Sequence, residues 1–199
     1  MPDLNILIDP LPLTVCVGGR DVPISSGFRT GILFEMLMLD KSIRQDQKAA
    51  LAIGMYFGDE VPEPINEAVE QMMNFYACGK DEDVLRSVGK GTESKTKRCY
   101  DYDIDAPYIY AAFLSQYRID LQDVDDLHWW KFMAMFLGLN DDNEICKIME
   151  YRSVDLAKIK NKAERERYAK LKHKYALPDT RTSEQKAMDI GAMLGGMIK

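Results

Sequence analysis

The chain has 199 residues, of which 46% are hydrophobic, and a formal net charge of −6 at pH 7. This length suits one domain with a small appendage, and the apolar content can build a core without a metal or disulfide. The negative charge argues against a general nucleic-acid-binding surface. We predict a soluble, intracellular protein, because the four cysteines are scattered and the sequence shows no basic leader and no apolar run of roughly 20 residues.

A β-hairpin is predicted near the N-terminus. Residues 13–17 and 20–24 are rich in β-branched side chains, and Gly18 and Gly19 lie between them. A pair of glycines supplies the positive φ angles that a tight two-residue turn requires. Because an isolated hairpin is only marginally stable in water, we expect it to pack on the helices or on another copy.

The next two segments are predicted to be helices. Ser25 or Ser26 can cap the first, which is apolar nearly all round and therefore typical of a central core element. The second helix begins near Asp46, carries apolar residues at helical spacing, and ends at Gly58.

A third helix and a loop complete the first half of the chain. Pro62 and Pro64 suit the entry of a helix that ends near Gly79. Residues from about 80 to 98 are poor in apolar side chains and rich in glycine, serine, lysine and aspartate. This composition predicts an exposed, mobile loop.

The second half predicts further helices. Asp105 caps a helix with Pro107 in its first turn, and acidic residues precede a helix that contains both tryptophans. Asp141 or Asp142 opens another helix. A long charged helix is predicted over residues 153–176, followed by at most a weak amphipathic helix over residues 183–199.

These elements predict a mainly α fold (α+β) in which a helical bundle-like domain carries a small N-terminal β-hairpin. We place the helical core domain at residues 1–153. Residues 154–199 are predicted to form the charged helix and a flexible C-terminal tail.

Several acidic residues invite a metal-site hypothesis. Asp101, Asp103 and Asp105 have the spacing of the first three ligands of an EF-hand loop, but Ala106 and Ala112 stand where that loop needs glycine and glutamate. These acids are therefore predicted to solvate a loop and cap a helix, with no metal and no cofactor.

A histidine offers a second hypothesis for catalysis. His128 could act as a general base oriented by Asp125, although a partly exposed helix residue is the simpler interpretation. A metal-dependent phosphoesterase using Asp101, Asp103, Asp105 and His128 remains the enzymatic alternative.

Two further features bear on partners. Trp129 and Trp130 point about 100° apart on a helix, so either both lie in the core or one faces a partner subunit. The segment 152–174 is rich in lysine and arginine, which predicts a solvated helix face. Docking onto an acidic protein surface is the second interpretation of this segment, and nucleic-acid binding is the third.

Two sequence blocks carry a family resemblance: YDYDIDAPYIYAAFLSQYRIDL over residues 100–121 and LHWWKFMAMFLGL over residues 127–139. Together they resemble the bacteriophage "gene product fifteen" family of siphophage tail-region proteins. The segment VCVGGRDVPISSGFRTGILFEMLML and the later KIMEYRS are also similar to that family. The resemblance covers most of the chain up to about Ser153.

The resemblance implies a non-enzymatic tail assembly chaperone in the cytoplasm of the bacterial host. Its expected partners are the tape-measure protein, tail-tube subunits and further copies of itself, with neither nucleic acid nor membrane. A structural tail or head–tail connector component of the virion is the alternative. The residues predicted to contact partners are Tyr102, Tyr108, Trp129 and Trp130.

Overall fold

The computed structural model describes residues 4–79 and 98–178. The chain divides into two compact units after Asp155. The elements of the first unit are β1 Thr14–Val17, β2 Arg20–Pro23, α1 Phe28–Leu39, α2 Gln45–Phe57, α3 Ile65–Tyr76, α4 Ala106–Tyr117, α5 Trp129–Leu137 and α6 Glu144–Ser153. The second unit contains a 3-10 turn, Leu156–Lys158, and α7, Lys162–Lys174. The mainly α fold with an N-terminal hairpin is confirmed.

The hairpin forms as predicted. β1 and β2 are antiparallel, with Val15 opposite Val22, and Gly18 and Gly19 have φ angles of +58° and +73°. A type I′ turn, whose twist matches that of the two strands, requires a positive φ at both central residues. The hairpin packs on α3, because Val15 is buried and the Gly18 amide donates to the Glu67 carboxylate at 3.0 Å.

α1 lies in the core on one side only, which corrects the prediction of burial all round. Phe28 and Phe34 are buried, whereas Leu33 is exposed. The predicted serine cap is wrong, since the helix begins after Gly27 without a side-chain cap. The backbone carbonyl of Ser26 instead accepts the Trp129 backbone amide at 2.7 Å, so tertiary pairing decides where this helix begins.

α5 is the centre of the aromatic core. The Phe132 ring is fully buried and stacks on Phe113 of α4 and Phe28 of α1, with ring centroids 4.9 and 5.2 Å apart. Trp129 stacks on Tyr76 of α3 at 5.4 Å. Helices from three parts of the chain therefore meet around α5, and offset ring stacking adds to the stabilisation that burial provides.

The long charged helix predicted over residues 153–176 is wrong. α6 ends at Ser153, where Val154 is extended, and α7 begins after Asn161, whose side chain accepts the Glu164 amide at 3.1 Å. An N-cap of this kind defines a new helix start. No residue of α7 is buried. The loop predicted over residues 80–98, apart from Arg98, and the helix predicted over residues 183–199 lie outside the described residues.

Candidate functional site

Three of the four predicted partner-binding aromatics lie inside the first unit. Trp129, Trp130 and Tyr102 are 1%, 4% and 5% exposed. The two indole nitrogens donate to the carbonyls of Tyr76 and Phe75 at 2.9 and 2.8 Å, so their polar atoms are satisfied within the fold. These three residues are therefore part of the core, which is the first of the two alternatives for the tryptophans. Tyr108, at 37% exposed, lies at the surface.

Two of the three aspartates of the metal-site hypothesis, Asp101 and Asp105, have structural partners, and Asp103 is exposed. The Asp101 carboxylate accepts the amides of Asp103 and Ile104 at 2.8 and 3.0 Å and pairs with Arg98 at 2.8 Å. Asp105 forms a buried bidentate ion pair with Arg152, with distances of 2.5 and 2.9 Å. Asp105 therefore holds α6 against the start of α4 instead of capping α4 with its side chain.

His128 also has a structural role. Its Nδ1 accepts the backbone amide of Trp130 at 3.1 Å, which caps α5, and its Nε2 lies 3.0 Å from the Pro12 carbonyl. This pair of contacts fits the neutral tautomer that carries its proton on Nε2. Burial lowers the pKa of His128, which favours that neutral form. Within the described part of the chain, no group of three or more His, Cys, Asp or Glu residues could hold a metal ion.

A buried carboxyl group that sequence reasoning missed lies on α1. Glu35 accepts hydrogen bonds from the hydroxyls of Tyr76 and Tyr100 at 2.8 and 3.4 Å through Oε2, while Oε1 has no hydrogen-bond partner among the described residues. Burial raises the pKa of Glu35 to about 7. The group is closed off from solvent, so it bears on stability rather than on a substrate. A single glutamate within the apolar sequence of α1 was the available signal.

The exposed side of α4 is the strongest candidate for a binding surface. The 12 residues of this helix, APYIYAAFLSQY, include no charged side chain. We define the α4 face as Ile104, Pro107, Tyr108, Ala111 and Leu114, all of which are exposed. Ile104 and Leu114 are 44% and 41% exposed. A water-facing helix surface is normally charged or polar, so this apolar face is typical of a surface that contacts a partner.

Hydrogen bonds tie the C-terminal end of α4 to the end of α5 and the residues after it, so the exposed face belongs to a fixed element. The Gln116 side chain donates to the Gly138 carbonyl at 3.0 Å and accepts the Asn140 amide at 2.9 Å. The Tyr117 hydroxyl donates to the Met135 carbonyl at 2.9 Å. Binding through such a surface costs little ordering entropy, because the contacting helix is already in place.

The comparisons with known proteins give one match. The model of the family described as Bacteriophage Gp15 protein matches residues 7–177. The chain belongs to this family. The predicted resemblance is thereby confirmed, and membership makes the chain a phage virion-related protein. Comparison with curated proteins and with solved structures gives no match.

The match to the Bacteriophage Gp15 family includes the whole of α4. Other described helices also expose apolar residues, for example Leu33 on α1 and Leu51 on α2. Each of those helices carries at least one charged residue, so α4 alone among the described helices has none. None of the described helices is both long enough and apolar enough to cross a membrane. The α4 face is therefore the candidate partner-binding surface of this family member.

Proposed function

We propose that this protein is a non-enzymatic tail assembly chaperone. It holds the tape-measure protein soluble during tail morphogenesis and helps tail-tube subunits to assemble around it. Membership of the Bacteriophage Gp15 family supports this role. The observation that carries the proposal is the charge-free, exposed α4 face on a rigid helix.

The α4 face suits a helical client. Tyr108, Ala111 and Leu114 are three residues apart, so they form one stripe along the helix, and Ile104 lies in the turn just before it. The tape-measure protein, as the family resemblance implies, is long and prone to form coiled coils. Its helices would present apolar residues at the same kind of spacing, and two such stripes pack side by side without a pocket.

The internal contacts of the candidate acids support a non-enzymatic role. The carboxylates of Asp101 and Asp105 are engaged by Arg98 and Arg152, and both ring nitrogens of His128 contact the backbone. A general base or a metal ligand needs a free lone pair directed at a substrate or an ion. The described contacts direct these groups into the fold.

Coexpression with a fragment of the tape-measure protein tests the proposal. The double variant Tyr108→Asp/Leu114→Asp should leave the fragment insoluble, because charge on the stripe prevents apolar packing. The affinity should fall about 30-fold or more, as for residues that dominate an interface. Leu51→Asp, an equally exposed position on α2, is the control and should retain the fragment in solution.

Retention of the fragment by the double variant, with its thermal melting unchanged, would contradict the proposal. Mass spectrometry of purified virions separates a chaperone from a connector component. The proposed chaperone should be missing from mature particles. A stoichiometric amount in the virion would favour the structural alternative.

A further inference from the structure

Carboxylates surround the α4 face. Asp103 precedes the helix, Asp120 and Asp123 follow it, and Asp141 and Asp142 belong to the loop between α5 and α6. Four of these are exposed and Asp120 is half-buried. None of them belongs to the stripe. They lie on the segments that precede, follow or contact α4, and we call these five carboxylates the acidic border.

Hydrogen bonds place the border on two sides of α4. On one side, the Tyr110 hydroxyl donates to the Asp120 carboxylate at 2.9 Å. This hydrogen bond is the main cause that raises the pKa of Tyr110, and the nearby charge of Asp123 adds to it. On the other side, Gln116 accepts the amides of Asn140 and Asn143, which brings the loop containing Asp141 and Asp142 against the helix.

Arg29 fixes part of this border. Its guanidinium donates to the carbonyls of Leu121, Gln122 and Val124 at 2.9, 3.1 and 3.0 Å. These bonds hold the loop that carries Asp123 in one conformation. Arg29 donates to carbonyl oxygens and not to the Asp123 carboxylate, so its positive charge offsets the negative charge of the loop only in part.

Few cations offset the border. Arg118, directly after α4, is exposed, and Lys147 on α6 is half-buried. Arg98 and Arg152 pair with Asp101 and Asp105. Together with Arg29, three cations therefore stand against the five border carboxylates, and the border keeps an excess of negative charge. A surface of this sign attracts cationic partners and suppresses anionic ones.

We infer that the α4 face accepts an amphipathic helix whose apolar stripe is bordered by lysine and arginine. This inference rests on the proposed function and specifies the chemistry of the client segment. The arrangement matches coiled-coil pairing, in which charges beside the apolar seam choose the partner. Nucleic acid and anionic membrane carry the same sign of charge as the border, so both are disfavoured.

Three model peptides test the inference on the full-length protein. All three carry the same leucine stripe at helical spacing, and the remaining positions hold lysine, glutamate or glutamine. Fluorescence anisotropy should show that the lysine peptide binds about tenfold or more tighter than the glutamate peptide at about 0.05 M salt. The difference should shrink at about 0.5 M salt, because screening weakens exposed charge pairs.

A matched pair of variants tests whether the border carboxylates cause the preference for the lysine peptide. Asp123→Asn/Asp141→Asn/Asp142→Asn should weaken binding of the lysine peptide and leave the glutamine peptide unchanged. The control variant removes three exposed carboxylates elsewhere on the first unit, at Asp21, Asp59 and Glu60, and should leave both affinities unchanged. Circular dichroism checks that each variant remains folded.

The alternatives give distinct results. Equal binding of the lysine and glutamate peptides, abolished by Tyr108→Asp/Leu114→Asp, overturns the charge preference and leaves the proposed function standing. Failure of every peptide to bind, or occupation of the face by a second copy seen as a dimer without peptide, also overturns the inference. Lysine-peptide binding without retention of the tape-measure fragment upholds the charge preference and removes the proposed function.

Discussion

Replacing Glu35 with glutamine tests the description of the core most sharply. Glu35 is buried, and Arg98, whose charge acts on it, is engaged by Asp101 at 2.8 Å. Removal from water therefore dominates, and the pKa rises from the ordinary value of 4.5 to about 7. Glutamine keeps an oxygen that can accept from the hydroxyls of Tyr76 and Tyr100, so the variant removes the titration and preserves the main contacts.

The sign of the effect follows from proton binding. The folded state binds a proton at Glu35 more tightly than the unfolded state, so the stability from this group is full below about pH 4.5 and is lost as the pH rises through about 7. One pKa unit corresponds to about 1.4 kcal/mol. The total loss is therefore about 3 kcal/mol, a large part of the roughly 5–15 kcal/mol that stabilises a typical domain.

Urea unfolding between about pH 5 and pH 8 measures this effect. The free energy of unfolding of Glu35→Gln, relative to the wild type, should rise by about 2.5 kcal/mol across that range. The carboxylates of Asp40, Asp46 and Asp120 have lowered pKa values, but these groups are present in both proteins, so their contributions cancel in the difference. The variant Glu60→Gln controls for the loss of an exposed carboxylate. A difference that stays constant with pH would refute the reasoning.

Two further predictions concern packing. Gly31→Ala should destabilise the protein by about 1–3 kcal/mol, because its new Cβ would lie 2.3–2.7 Å from ring carbons of Trp129. Gly54→Ala, in open space on α2, should instead stabilise the protein by roughly 0.5–1 kcal/mol. Equal melting temperatures for the two variants would contradict both predictions. Arg152→Met should cost about 3–5 kcal/mol in chemical denaturation, because it leaves the Asp105 carboxylate buried without its partner. A loss below about 1 kcal/mol, the typical value of an exposed pair, would show that this ion pair is not buried in solution.

Local chemistry made the hairpin and several helices predictable. Gly18 and Gly19 are positions where the turn demands positive φ, and Gly58 ends α2 with φ of +69°. The predictions of a serine cap and of one long charged helix were wrong. A tertiary contact overrode the first, and a local cap overrode the second. The backbone carbonyl of Ser26 accepts the amide of Trp129, and Asn161 caps the start of a separate helix. Neither competing interaction is visible in the apolar periodicity of the segment.

The candidate site was predictable only in part. Adjacent tryptophans left two alternatives open, both in the core or one facing a partner. Gly31 lets Trp129 approach α1, and the Trp130 ring lies against Gly79, so both are covered. Tyr108, predicted to contact a partner, is exposed. The stronger signal for a binding surface is the absence of charged residues from a helix that nevertheless has an exposed side. That exposure depends on which face of α4 the fold covers, and periodicity alone does not give it.

Site-specific photo-crosslinking tests the central claim, that the α4 face binds the tape-measure protein. A photoreactive amino acid at Leu114, compared with one at Ile65, an exposed position on α3, would be activated in cells that coexpress the tape-measure protein. The account predicts a crosslinked product from Leu114 and none from Ile65. Crosslinking from Ile65 with none from Leu114 would contradict it.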